Sequence, residues 1–104
     1  MRLDISSGFV AKASALVAKT VGKPESYVAV FVKPDSPASF GGSQEPCAFI
    51  ELQSIGGFGS KTNQIADSLT TFIHNELKID TDRFYINFVD LKASNLAHNG
   101  QTFG

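Results

Sequence analysis

Apolar residues at Phe9, Val10, Ala13, Leu16, Val17 and Val21 recur every three or four positions, the spacing that lays one stripe along a helix. Ser6 or Ser7 stands where a cap is expected, and Gly22 followed by Pro24 predicts the stop. Tyr27-Val28-Ala29-Val30-Phe31-Val32 is aromatic and β-branched with no polar break beyond the Tyr hydroxyl, which predicts a strand buried on both faces. Residues 35–46, rich in Ser, Pro and Gly, predict a loop. Ala48 to Ile55 reads as a second strand, with Phe49 and Glu51 on one face and Ala48, Ile50 and Leu52 on the other. Ile65, Leu69, Phe72, Ile73 and Leu77 predict a second helix, capped by Ser60 or Thr62, and Phe84 to Val89 a further strand. Asn99-Gly100 is the dipeptide of a type I′ turn, so Leu96 to Phe103 reads as a terminal hairpin.

These elements form two similar halves, each running from a helix through a polar connector into an aromatic strand. In the second half a strand also precedes the helix, giving strand-helix-strand with a crossover long enough for parallel pairing. The first half offers only Leu3 and Ile5 as alternation before its helix, so its leading strand is expected to be missing. The whole predicts a single α+β domain over residues 1–104.

Composition narrows the functional classes. Apolar residues make up 42% and charged residues 18%, the balance of a folded domain. Nine Lys and Arg against ten Asp and Glu give a formal net charge of -1, which provides no field for concentrating nucleic acid. No apolar run approaches the length of a membrane span, and Arg2, Asp4, Lys12 and Lys19 interrupt any signal-peptide stretch, so a cytoplasmic protein is expected. Cys47 is the only cysteine, and with His74 and His98 it makes no metal-ligand spacing; neither a disulfide, a metal nor a cofactor is expected. A chain this short buries only about 65% of its unfolded surface, so added burial through oligomerisation would help.

Candidate chemistry is sparse. Ile55-Gly56-Gly57-Phe58-Gly59-Ser60-Lys61-Thr62 sits where a phosphate loop would, but Ile55 and Ser60 occupy the two positions that motif reserves for glycine, so it reads as a Gly-rich connector. His74 reads as a surface residue, and His98 falls in the hairpin. More particular are Lys23 at the end of the first helix and Tyr85 and Asn87 in the last long strand, polar groups in apolar surroundings. Tyr85, Asn87 and Val89 share one face. They either form a polar pocket or wet interface, or Asn87 satisfies a buried backbone group beside an amphipathic Tyr85.

Five blocks then form a pattern: Gly22-Lys23-Pro24-Glu25-Ser26-Tyr27-Val28-Ala29-Val30, Ser39-Phe40-Gly41-Gly42-Ser43-Gln44-Glu45-Pro46-Cys47-Ala48, Leu52-Gln53-Ser54-Ile55-Gly56-Gly57, Asp82-Arg83-Phe84-Tyr85-Ile86-Asn87-Phe88 and Asn99-Gly100-Gln101-Thr102-Phe103. In this order, across nearly the whole chain, they resemble the macrophage migration inhibitory factor family of the tautomerase superfamily. The resemblance implies two strand-helix-strand units with pseudo-twofold symmetry, a homotrimer, and a site at subunit boundaries for keto-enol tautomerisation of phenylpyruvate-type aromatic acids. It also implies, in several members, a secreted cytokine-like role with a cell-surface receptor as partner.

Carried onto this chain, the resemblance implies that Lys23 pairs with the substrate carboxylate and that Ile55 offers a backbone contact. Tyr85 and Asn87 reach in from a neighbouring subunit, while Tyr27, Leu96 and Phe103 supply apolar walls. His98 stands where many relatives have tryptophan. The family's base is an N-terminal proline, whereas residue 2 here is Arg; no catalytic base is assigned in this chain, and impaired isomerase activity is expected. A non-catalytic receptor- or partner-binding protein is the alternative. Some relatives also carry a Cys-x-x-Cys pair, but Cys47-Ala48-Phe49-Ile50 lacks the second thiol, which argues against thiol oxidoreductase chemistry.

Overall fold

The structure is a computed structural model that describes Ile5 and residues 7–104. Helix α1 spans Ser7–Val21. Its apolar stripe buries Phe9 and Ala13, and Gly22 closes it at φ 72°. The Gly22 and Lys23 N–H groups both donate to the Ala18 carbonyl, at 3.0 and 3.1 Å, which satisfies a carbonyl the last turn would leave open. Ser6 and the Ser7 side chain, the expected cap, lie outside the described residues, as do Met1–Asp4 with Leu3.

Strand β1 (Ala48–Ile55), helix α2 (Thr62–Leu77) and strand β2 (Phe84–Leu91) form the expected strand-helix-strand unit. The strands pair in parallel from Ala48 opposite Phe84 to Ile55 opposite Leu91. Helix α2 buries Ile65, Leu69 and Ile73, as its periodicity predicts. Its cap differs from expectation: Lys61 holds that position with no side-chain hydrogen bond, and neither Ser60 nor Thr62 supplies one. The Ile65 N–H bonds the Lys61 carbonyl at 2.9 Å, so the helix begins on its backbone alone. The far end turns at Lys78, whose left-handed φ of 58° carries Ile79 into full burial.

The core joins Phe9, Ile73, Ile79 and Phe84, with Ile50, Phe72 and Ile86 packed against it. Phe9 and Phe72 stack with ring centroids 5.3 Å apart, tying the two helices together. A hairpin of β3 (Ala97–His98) and β4 (Gln101–Thr102) turns through Asn99 at φ 53° and Gly100 at φ 84°, the conformation a type I′ turn demands.

The segment Tyr27–Val32 departs from expectation. Tyr27 closes a short 3-10 turn begun at Glu25, and Val28 is extended at φ -91° and ψ 128°. The residues beyond it join no ladder among the described residues. Nor is the segment buried on both faces. Val28 and Val30 are half-buried, Ala29 faces outward, and Phe31 is 92% exposed. An extended chain becomes a strand only where a neighbour accepts its backbone hydrogen bonds, and among the described residues none does so here.

Residues 35–46, expected as an irregular loop, contain an ordered turn. Phe40 and Ser43 exchange both backbone hydrogen bonds, at 2.9 and 3.0 Å, around Gly41 and Gly42 at positive φ.

Candidate binding site

Lys23 follows the C-terminus of α1, where Gly22 redirects the chain toward the end of β1. Its ammonium donates to Ser54 Oγ at 2.9 Å and to the Ile55 carbonyl at 2.5 Å. Ser54 is buried, so the lysine also satisfies a hydroxyl that would otherwise lack a partner. Both acceptors are neutral, and among the described residues no carboxylate forms an ion pair with Lys23. The cation is therefore held in place with its charge uncompensated, an arrangement suited to an incoming anion.

Beside it stands an aromatic wall. Tyr27 meets Phe103 edge-on at 6.0 Å and His98 edge-on at 6.5 Å. His98 itself stacks on Phe103, with centroids 6.3 Å apart and planes 9° from parallel. An imidazole thus does the stacking in this wall. The terminal hairpin positions this wall: the Phe103 N–H reaches the Ala93 and Leu96 carbonyls, each at 3.1 Å, which folds the last residues back over the end of β2. Lys23, Tyr27, Ile55, Leu96, His98 and Phe103 all line one open cavity of about 1470 Å³.

Tyr85 and Asn87 are placed differently. Both lie on the outward face of β2, opposite Phe49 and Glu51 of β1, and Tyr85 is 65% exposed. Tyr85 lines the same broad cavity but at the Phe40 side, while Asn87 does not line it. Of the two readings left open by the sequence, a wet interface fits better than satisfaction of a buried group, because both side chains face outward. One chain gathers the lysine and the aromatic wall, and presents the phenol and amide elsewhere.

Sequence reasoning missed Arg83. From the start of β2 its guanidinium donates to the carbonyls of Phe40, Ser43, Glu45 and Pro46 at 2.9 to 3.3 Å. An Arg directly after an Asp-rich turn and before a strand gave no signal of contacts roughly forty positions away. His74, expected at the surface, is exposed, yet its Nδ1 lies 2.9 Å from the Ile79 carbonyl and helps close α2.

A parallel strand-helix-strand unit beside a second helix-and-extended-segment half, with a lysine at the sheet edge, defines a tautomerase-like α+β fold. Solved structures agree. The factor from Trichinella spiralis superposes with a TM-score of 0.90 at 41% identity, covering 95% of this chain and 88% of that one. A homologue from Prochlorococcus marinus does so at 0.91 and 32% identity, over 99% and 94%. The sequence profile described as Macrophage migration inhibitory factor (MIF) matches residues 2–104, and the chain belongs to that family. Among curated relatives, the homolog from Brugia malayi is 52% identical over 102 residues, 97% of this chain and 89% of the relative. The factor from Mus musculus is 38% identical over 103 residues, or 98% and 90%. No helix among the described residues is long and apolar enough to cross a membrane.

Proposed function

We propose that this protein binds small aromatic keto or enol acids of the phenylpyruvate type at a site completed between subunits of a homotrimer, with keto-enol isomerisation as the reaction such a site serves. The observation that carries this reading is the Lys23 ammonium, fixed by Ser54 and Ile55 and beside the Tyr27–His98–Phe103 wall. A carboxylate would pair with the ammonium while its aryl group lies among the rings. Tyr85 and Asn87, outward on the sheet, are then contributed to a neighbour's site. Enolisation further requires a base near the acid's α-carbon.

Calorimetric titration with phenylpyruvate tests this directly. Saturable binding that Lys23→Met abolishes and Tyr27→Phe preserves is expected. Equal affinity of the wild type and Lys23→Met rejects the site. Sedimentation tests the assembly, with a trimer expected and a monomer at all concentrations contradicting the shared site.

A second reading, a non-catalytic partner-binding role of the cytokine kind, is favoured by the exposed aromatic face of Phe49 and Tyr85, 66% and 65% exposed. Secretion and a cell-surface receptor belong to that reading. Activity toward cells that survives Lys23→Met would favour it over the first.

A further inference from the structure

Helices α1 and α2 touch where Phe9 stacks on Phe72 and Lys12 pairs with Glu76 at 3.3 Å. Farther along α1 they part. Leu16, Lys19 and Thr20 of α1 face Gln64, Ile65 and Ser68 of α2 across a cleft of about 300 Å³. Lys19 stands twelve residues beyond Ser7, about 18 Å along the axis, so the second half of α1 alone forms this wall. The helices pack on the sheet face that carries Ile50 and Ile86, and the cleft is therefore separate from the outward face of Phe49 and Tyr85.

The lining combines two chemistries. Ile65 is 2% exposed and Leu16 is half-buried, which makes an apolar floor. Around it stand an ammonium, a carboxamide and two hydroxyls, from Lys19, Gln64, Thr20 and Ser68. None of these four side chains has a hydrogen bond or ion pair among the described residues. Thr20 and Ser68 are half-buried, yet neither returns its hydroxyl to the preceding helical turn as Ser and Thr commonly do. Among the described residues, no carboxylate and no aromatic ring lines the cleft.

We infer that the cleft between α1 and α2 binds a short-chain aliphatic carboxylate, of which hexanoate is the type, with the carboxylate on Lys19 and the tail over Leu16 and Ile65. One ammonium matches one negative charge, and Gln64, Thr20 and Ser68 supply neutral donors to the same group. A phosphate dianion would hold unmatched charge above an apolar floor. A lining without rings suits a saturated tail, in contrast to the wall of Tyr27, His98 and Phe103 beside Lys23. The volume is at the small end of small-molecule sites, which limits the tail to a few carbons.

Titration of the isotope-labelled protein with hexanoate, followed by its amide chemical shifts, tests this. We expect one saturable set of shifts centred on residues 16–20 and 64–68, with a Kd of about a millimolar. Hexanamide, the same shape without the charge, should bind about fivefold more weakly. Lys19→Met should lose about as much for hexanoate, and Gln64→Glu should weaken it further by adding a like charge. Both positions are exposed, so the fold survives either change.

Equal affinity for hexanoate and hexanamide overturns the proposal, as does unchanged hexanoate affinity in Lys19→Met, because charge then selects nothing. A response confined to residues around Lys23, or no response, overturns it too. Lys23→Met should leave the shifts at 16–20 and 64–68 as they are, so failure here is distinguishable from failure of the aromatic-acid site.

Discussion

The guanidinium carbon of Arg83 lies 5.6 Å from the centre of the Phe40 ring, and that ring in turn lies 5.0 Å from the ring of Tyr85. One cation therefore gathers a loop by its carbonyls and presses the aromatic group of that loop against a residue of the proposed site.

Replacing Arg83 by Met is expected to lower stability by about 2 kcal/mol, the scale of several charge-assisted hydrogen bonds at a partly exposed group. Arg83→Lys should recover less than half, because an ammonium cannot span four carbonyls as a planar fork does. Urea unfolding measures the loss, and amide exchange across residues 40–46 should accelerate in both variants.

Ile79 has no exposed surface, held between the left-handed turn at Lys78 and the start of β2. Ile79→Ala should cost about 3 kcal/mol in equilibrium unfolding, and Ile79→Val about 1 kcal/mol. A loss under 1 kcal/mol for the alanine variant would mean that the site collapses around the deletion.

Gly57 stands at φ 76°, and a Cβ built there would approach Asp90 Oδ2 at 2.8 Å. Two penalties combine in Gly57→Ala, the left-handed backbone and the contact, for an expected loss of about 1 to 2 kcal/mol. Adding Asp90→Ala should relieve only the contact. Full recovery in the double variant would show that the backbone contributes nothing.

Phe49→Glu places a charge on the outward sheet face beside Tyr85. If the proposed homotrimer uses this face, sedimentation should show it dissociating while far-ultraviolet circular dichroism stays unchanged, because Phe49 lies outside the core formed around Phe9, Ile73, Ile79 and Phe84. An unaltered assembly state would move the interface elsewhere.

Both helices, the parallel pairing of β1 with β2 and the type I′ turn were legible because each depends on local periodicity or on one dipeptide. The apolar spacing of Ile65, Leu69 and Ile73 contains its own answer. Tyr27–Val32 shows the limit of such reading: its composition is that of a strand, but a ladder also needs an edge to pair with, and composition is silent on that. Lys23 and Tyr27 could be singled out from the sequence as a resemblance. The bonds to Ser54 and Ile55 and the stacking of His98 on Phe103 join positions 31, 32 and 5 residues apart, and the first two arise only when the chain folds back. Arg83 was invisible for the same reason, since its partners are backbone carbonyls, which every residue carries.

The ladder from Ala48 to Leu91 gives the molecule an uneven folding order. That stretch holds both strands of its sheet and the helix between them, so it can condense early with short closure distances. Helix α1 must then dock onto a surface already made. Substitutions at Ile65 and Ile73 should slow refolding, whereas Ala13→Gly should act mainly by speeding unfolding.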